Sequence, residues 1–211
     1  MAESLVAVSQ GSGKNFHTYN RTIGGNSVED EVVLIGEQYV PTYVVAAGAS
    51  ISIATAASHV LQIMAGTTNP VFIRRIKIWQ SVPATTAALI FFQLLRLTTA
   101  GTGGGTITPQ QHDSTNDSAA GATAMTLPTV KGTEGAAVGS AVGMAIQTVP
   151  TGGPAQAALL ADWDFSTILR EKALRIPAGT SNGLAVKNVT ASAGASVLVE
   201  VRFSEFLFTG A

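Results

Sequence analysis

The sequence predicts an all-β protein: an antiparallel, jelly-roll-like β-sandwich preceded by an extended N-terminal arm. Three observations carry that expectation. Apolar and polar residues alternate along several segments, most clearly in "SVLVEVRFSEFLF" at 196–208, which is the period of a half-buried strand. Short β-branched runs recur at fairly regular spacing with Gly, Pro, Asn and Ser between them, as in sandwiches and barrels. Helical periodicity is scarce, and no repeat of fixed length marks a propeller or solenoid.

Residues 1–44 are read as the arm. "SQGSGKNFHTYNRTIGGNSVEDE" is polar, rich in Gly and Asn and weakly patterned, with one strand expected at Val32 to Ile35. Termini stay mobile unless something ties them down, so an ordered arm is expected to lie on a neighbouring molecule. The sandwich is read over 45–211. "ASISIATAASHVLQIMAG" gives two short strands, 49–55 and 58–65. In "VFIRRIKIWQ", Phe72, Ile76 and Ile78 are expected on one face and Arg75, Lys77 and Trp79 on the other. After the turn "QSVPATT" comes "AALIFFQLLRLTT", 87–99, apolar on both faces. Such a strand must be covered twice, by its own core and by a second sheet or subunit, which makes Phe92 and Leu94 candidate subunit contacts. "TAMTLPT", "GMAIQTV" and "AALLADWDF" read as further strands. "KALRIPAGTSNGLAVKNVTA" reads as strand, turn from Pro177 to Gly183, and strand, with Asn182 and Gly183 suited to positive φ. In the last strand, Val197, Val199, Val201 and Phe203 are expected to face the core.

Charge is the compositional anomaly. Only 12% of residues are Asp, Glu, Lys or Arg, about half the usual share. A monomer rich in Ser, Thr and Gly is one explanation. The preferred one is a surface partly covered by other subunits, because interface cores are depleted in charge. The formal net charge is -1 and the chain lacks a basic stripe, so nucleic acid is not an expected partner. The 211 residues contain no cysteine, which removes disulfides, thiolate metal sites and cysteine nucleophiles. "MAESLVAVSQGSGKN" does not read as a secretory signal, and no uncharged stretch is continuous enough to cross a bilayer as a helix.

Candidate chemistry is sparse. In "LTTAGTGGGTITP" at 97–109, Gly101 and Gly103 begin a dinucleotide-type G-x-G-x-x-G pattern, but Thr106 holds the third glycine position and "ITPQQ" is no helix start. The stretch is read as a connection between strands. "GSGKN" at 11–15 lacks the first glycine and the Ser/Thr of a phosphate loop. "QHDSTND" gathers His112, Asp113 and Asp117, oxygen-rich enough for a hard cation but without calcium-loop spacing; a solvated loop is expected. His59, inside an apolar strand pair, is expected to be a hydrogen-bonded core residue. Asp162 and Asp164 could serve acid/base chemistry or a metal, but no third ligand is in view and pairing with backbone or Arg170 is expected. The glycines of "EGAAVGSAVGMAIQTV" are read as a loop leading into a strand. Trp79, flanked on its face by Arg75 and Lys77, is a candidate sugar platform. Neither a G-x-S-x-G elbow nor an H-E-x-x-H motif occurs; no catalytic residue, cofactor site or metal site is assigned, and an enzyme is not expected.

"IRRIKIWQ", "LLRLTTAGTGGGTITPQQHD", "GATAMTLPTVKGTEG", "LRIPAGTSNGLAVKN" and the ending "VEVRFSEF", taken in order, resemble a type of tailed-bacteriophage virion protein. The likeness covers residues 70–208 and includes no active site, so no functional residue carries over. It implies a jelly-roll-like structural protein of the particle: a capsid decoration or cement protein, often trimeric, bound to the major capsid protein on the outer shell. A tail- or neck-associated structural or carbohydrate-binding module is the alternative. In either case the expected partners are sister copies and other virion proteins, not a membrane or nucleic acid.

Overall fold

The computed structural model describes residues 18–23, 26–31, 40–84, 88–115, 117–138, 142–146, 159–165 and 173–206. The chain divides into two compact units, Met1–Tyr39 and Val40–Ala211. The first contains an antiparallel hairpin, β1 (Thr18–Ile23) and β2 (Asn26–Glu31). The sequence carries no alternation there that would announce it. The strand expected at Val32 to Ile35 lies outside the described residues.

The second unit is all strand and connection among its described residues. Its strands are β3 (Thr42–Ala46), β4 (Ile51–Ser52), β5 (Ser58–Met64), β6 (Val71–Val82), β7 (Ala88–Leu97), β8 (Gly105–Ile107), β9 (Gln110–Gln111), β10 (Thr123–Thr126), β11 (Glu134–Ala137), β12 (Val142–Ile146), β13 (Leu159–Asp164), β14 (Leu174–Ile176), β15 (Gly183–Asn188) and β16 (Ser196–Glu205). They build two antiparallel sheets. One runs β11-β7-β15-β5-β10-β8, with β12 also on β7; the other runs β13-β6-β16-β3-β9, with β14 on β6 and β4 on β16.

The order has a simple origin. Strands that share one edge of one partner act as one rung: β3 with β4, β11 with β12, β13 with β14. Setting β8, β9 and β10 aside leaves eight rungs, ordered 1-8-3-6 in one sheet and 2-7-4-5 in the other. The pairs 4-5, 3-6, 2-7 and 1-8 are the successive steps of one long hairpin. It is wound so that alternate steps fall in opposite sheets, the winding of a jelly roll. The tip of that hairpin, between β7 and β11, is not a tight turn. It is an excursion that carries β8 and β10 to the far edge beside β5 and β9 to the edge beside β3.

The core lies between the sheets. Ile90, Phe92, Leu94, Leu184 and Val186 from one face Ile76, Ile78, Val197, Val199, Val201 and Phe203 from the other, all nearly or wholly inaccessible. Tyr43 stacks on Phe203 with ring centroids 5.3 Å apart. Burying a side chain of this size contributes about 1.5–3 kcal/mol. The four core positions expected in β16 are all filled as the alternation requires.

Two β-bulges explain where alternation misleads. In the β6–β16 ladder, Arg202 pairs with Arg75 and Phe203 with Ile73, so Arg74 is an extra residue. Parity reverses there: Val71 and Ile73 are buried, as are Ile76 and Ile78. Phe72 therefore leaves the face it was expected to share with Ile76 and stacks on Phe206 at 4.5 Å. In the β5–β15 ladder, Lys187 pairs with His59 and Val186 with Leu61. The extra residue, Val60, joins Leu61 in the core, and His59 turns to the outer side with Lys187.

The glycine-rich stretch is a packed connection. Thr102 bridges Val130, and Gly101 N–H donates to the buried Gln62 Oε1 at 3.2 Å. Gly103 has φ +73, and a Cβ there would run into Thr129 Oγ1; one at Gly104 would run into Thr126 O. In the 177–182 turn, the positive φ belongs to Gly179, at 115°. Asn182 instead ties the turn by donating from Nδ2 to Ala178 O at 2.8 Å. The segment 134–137, expected as loop, pairs with β7 as β11.

Gly104→Ala should lower the denaturant midpoint by an amount equivalent to about 1–3 kcal/mol through overpacking. Gly48→Ala, with open space around it, should stay within about 0.5 kcal/mol. Urea titrations of the two variants compare them directly.

Candidate functional site

The outer face of the β13-β6-β16 sheet carries the residues singled out by sequence. Cross-strand pairing sets Asp164 beside Arg75 and Asp162 beside Lys77. On the other side of β6, Glu200 lies beside Lys77 and Arg202 beside Arg75. Arg75 forks onto Asp162, Nε to Oδ1 at 2.8 Å and Nη2 to Oδ2 at 2.5 Å, and lies 3.7 Å from Asp164. Arg202 Nε donates to Glu200 Oε1 at 2.8 Å. The hydrogen bond from Arg75 holds the Asp162 carboxyl below its ordinary range, and the same contact raises the Arg75 guanidinium. The paired carboxylates thus serve Arg75. Arg170, the partner expected from sequence, lies outside the described residues. Lys77 Nζ sits 5.6 Å from the Trp79 ring centroid, a cation–π contact that occupies one face of the indole.

Phe92 and Leu94 are corrected by the same geometry. Both project into the core, 0% and 3% exposed, and no neighbouring subunit can reach them. Strand parity gives the outer face of β7 to Leu89 and Phe91 instead. Leu89 is 61% exposed and Val189 is 38% exposed. Val189 N–H donates to Phe91 O at 2.7 Å, so these three apolar residues share one end of the β7–β15 pair.

A second cluster lies on the outer side of the opposite sheet, under β11. His59 is completely buried, and its Nε2 is 3.1 Å from Glu134 Oε1. Lys187 Nζ donates to Glu134 Oε2 at 2.7 Å, and Lys131 Nζ reaches Oε1 at 3.4 Å. Burial pushes the Glu134 carboxyl up, but hydrogen bonds from Lys187 and His59 and the two lysine charges outweigh it and bring it down to about 2. Burial lowers His59, against the pull of Glu134. The neutral ring carries its proton on Nε2, where it donates to Glu134. Nδ1 is then a buried acceptor with no partner among the described residues. Sealed from solvent, this imidazole has no access to a substrate proton. Its contact fastens the excursion to β5. His59 is hydrogen-bonded and buried as expected, yet on the outer side of its sheet.

Glu205, at the end of β16, was not singled out by sequence. Its Oε2 accepts Gly121 N–H at 2.9 Å and its Oε1 accepts Ala122 N–H at 2.8 Å. Tyr43 OH donates to Ser118 O at 2.8 Å, and burial raises the phenol. In the 111–117 loop, Asp113 Oδ1 accepts Thr115 N–H and Asp117 Oδ2 accepts Thr42 N–H. One carboxylate oxygen of each aspartate is thus engaged with backbone. Among the described residues, no three His, Asp or Glu side chains gather as a metal site, and no helix is long and apolar enough to cross a membrane. No family model, curated protein or solved structure matches the chain.

The His59–Glu134 cluster sets a pH dependence. In the unfolded chain His59 is protonated below about pH 6.5, while in the folded protein it resists, so its contribution makes stability fall as pH drops from 7 towards 5. The depressed Glu134 carboxyl adds stability that is present above its unfolded value of 4.5 and lost as pH falls through about 2, on the order of 1–2 kcal/mol after allowance for partial exposure. Urea titrations across pH should show both stages. His59→Gln should flatten the stage between pH 7 and 5, and Glu134→Gln the stage below 4.5.

Proposed function

We propose that this chain is a structural subunit of a tailed-phage particle: a jelly-roll decoration or cement protein that assembles as a homotrimer on the outer shell and stabilises the head. The observation that carries the reading is the apolar patch of Leu89, Phe91 and Val189, left on the outer face of a sandwich whose core is already complete. Large side chains at 61% and 38% exposure lose apolar hydration when a second copy covers them, at about 25 cal/mol per Å². The shortage of charged residues points the same way. The resemblance over residues 70–208 supplies the particle and the shell partner.

Polar chemistry supports a mechanical role. The ion pairs and buried hydrogen bonds described above hold the excursion and the outer strands in place. A cement protein acts through this kind of rigidity, by bridging shell subunits and resisting outward strain. Trimers suit threefold or quasi-threefold positions on a shell, where one cap contacts several neighbours. A glycan platform at Trp79 is the weaker reading, because Lys77 covers one ring face and Arg75 is committed to Asp162.

Light scattering on the purified chain should give roughly three times the 21.6 kDa monomer mass, and the assembly should bind and stabilise phage shells that lack it. The double variant Leu89→Asp, Val189→Asp should fold, dissociate and lose shell binding. A stable wild-type monomer with no affinity for shells would remove the proposal.

A further inference from the structure

A cleft opens where β7 and the start of β15 in one sheet meet β14 in the other. Its volume is about 330 Å³, it is half open to solvent, and Arg96, Thr98, Arg175, Ile176, Pro177 and Asn182 line it. Among the described residues, no Asp or Glu lines it. That is unusual for two arginines at one site. The other arginine hydrogen bonds among the described residues end on a carboxylate or a hydroxyl: Arg75 on Asp162, Arg202 on Glu200, and Arg74 Nε on Ser204 Oγ at 2.9 Å.

Arg96 donates one hydrogen bond, from Nη1 to Arg175 O at 2.5 Å. A guanidinium has five N–H donors in a rigid fork, and among the described residues the rest of this one meets no acceptor. The contact to the β14 backbone holds the side chain across the gap between the sheets. Burial disfavours its charge, and no anion among the described residues offsets that cost. Such a group is stabilised by an oxyanion, which a guanidinium grips through two parallel hydrogen bonds. Thr98 and Asn182 add polar groups at the rim, and the exposed ring of Pro177 forms an apolar wall. The space matches the lower end of small-molecule sites, enough for an anionic group with a compact organic body.

We propose that this cleft binds the anionic group of a small organic acid or phosphate ester, gripped by Arg96, with Arg175 adding positive charge and the organic body resting on Pro177. The site is separate from the Leu89 patch, so it stands or falls independently of the assembly state.

Isothermal titration calorimetry of the full chain in low salt, with inorganic phosphate, glucuronate and glucose as probes, tests this. Saturable binding is expected with both anions and none with glucose. Tighter binding of glucuronate than phosphate would identify an organic acid as the ligand; the reverse order would identify a phosphate ester. Arg96→Gln should weaken binding roughly tenfold or more, the usual effect of losing a charged hydrogen bond. Arg96→Lys, which keeps the charge but loses the fork, should fall between. Melting curves check that each variant is folded; should Arg96→Gln fail to fold, Arg96→Lys and Arg175→Ala carry the comparison. The proposal is overturned by no saturable heat with either anion, or by unchanged affinity in folded Arg96 variants.

Discussion

The pairing of β6 with β16 is the constraint on which the rest of this structure depends. These two strands, the longest ladder among the described residues, run side by side from Val71–Glu205 to Val82–Ser196. Their inward residues form one wall of the core, and both neighbours of the pair are positioned by it. The bulge at Arg74 is what makes the pairing workable. Strict alternation would bury either Phe72 with Ile76 or Ile73 with Arg75. The extra residue lets Ile73 and Ile76 both face inward and releases Arg74 and Arg75 to the outside, where each finds a partner. A buried, unpaired guanidinium would cost several kcal/mol, so the bulge is the cheaper solution.

The excursion between β7 and β11 is the second organising feature. It leaves the tip of the rolled hairpin, crosses to the far edges of both sheets and returns. Long irregular connections are costly in chain entropy, and this one is fastened repeatedly. Glu205 takes the 121–122 amides, Tyr43 takes the Ser118 carbonyl, Gln62 takes Gly101, and His59 with Lys187 takes Glu134. Much of the buried polar chemistry is used in this way. The two outer edges it builds, β8 and β9, are only three and two residues long, and short edges resist unwanted strand addition.

How much of this was legible in the sequence follows from what is local. Alternation in 196–205 located β16 and its core face, because period two is a property of neighbouring residues. The apolar run at 87–99 predicts a strand but not which side each residue takes, so it points to Phe92 and Leu94 as subunit contacts, whereas Leu89 and Phe91 take the outer face. Bulges at Arg74 and Val60 leave no local mark, and each shifts every later side chain to the other face. The clusters around Glu134 and Glu205 join residues 75 and 84 positions apart, beyond the reach of any motif. The Arg96 cleft arises only where three distant strands meet. The hairpin at 18–31 lacks an apolar face in the sequence to betray it.

The ionic groups of this sandwich mostly lock its own connections, and its outer face keeps Leu89 and Val189 exposed; the proposed role is to be covered by a second copy. The account rests on a second copy lying against the β7–β15 end, and a photoreactive benzophenone side chain placed at Leu89 tests that contact most directly. On irradiation at micromolar concentration, the account requires covalent dimers and trimers on a denaturing gel, with none from the same probe placed at Glu200. A product of monomer mass alone from the Leu89 position would contradict it.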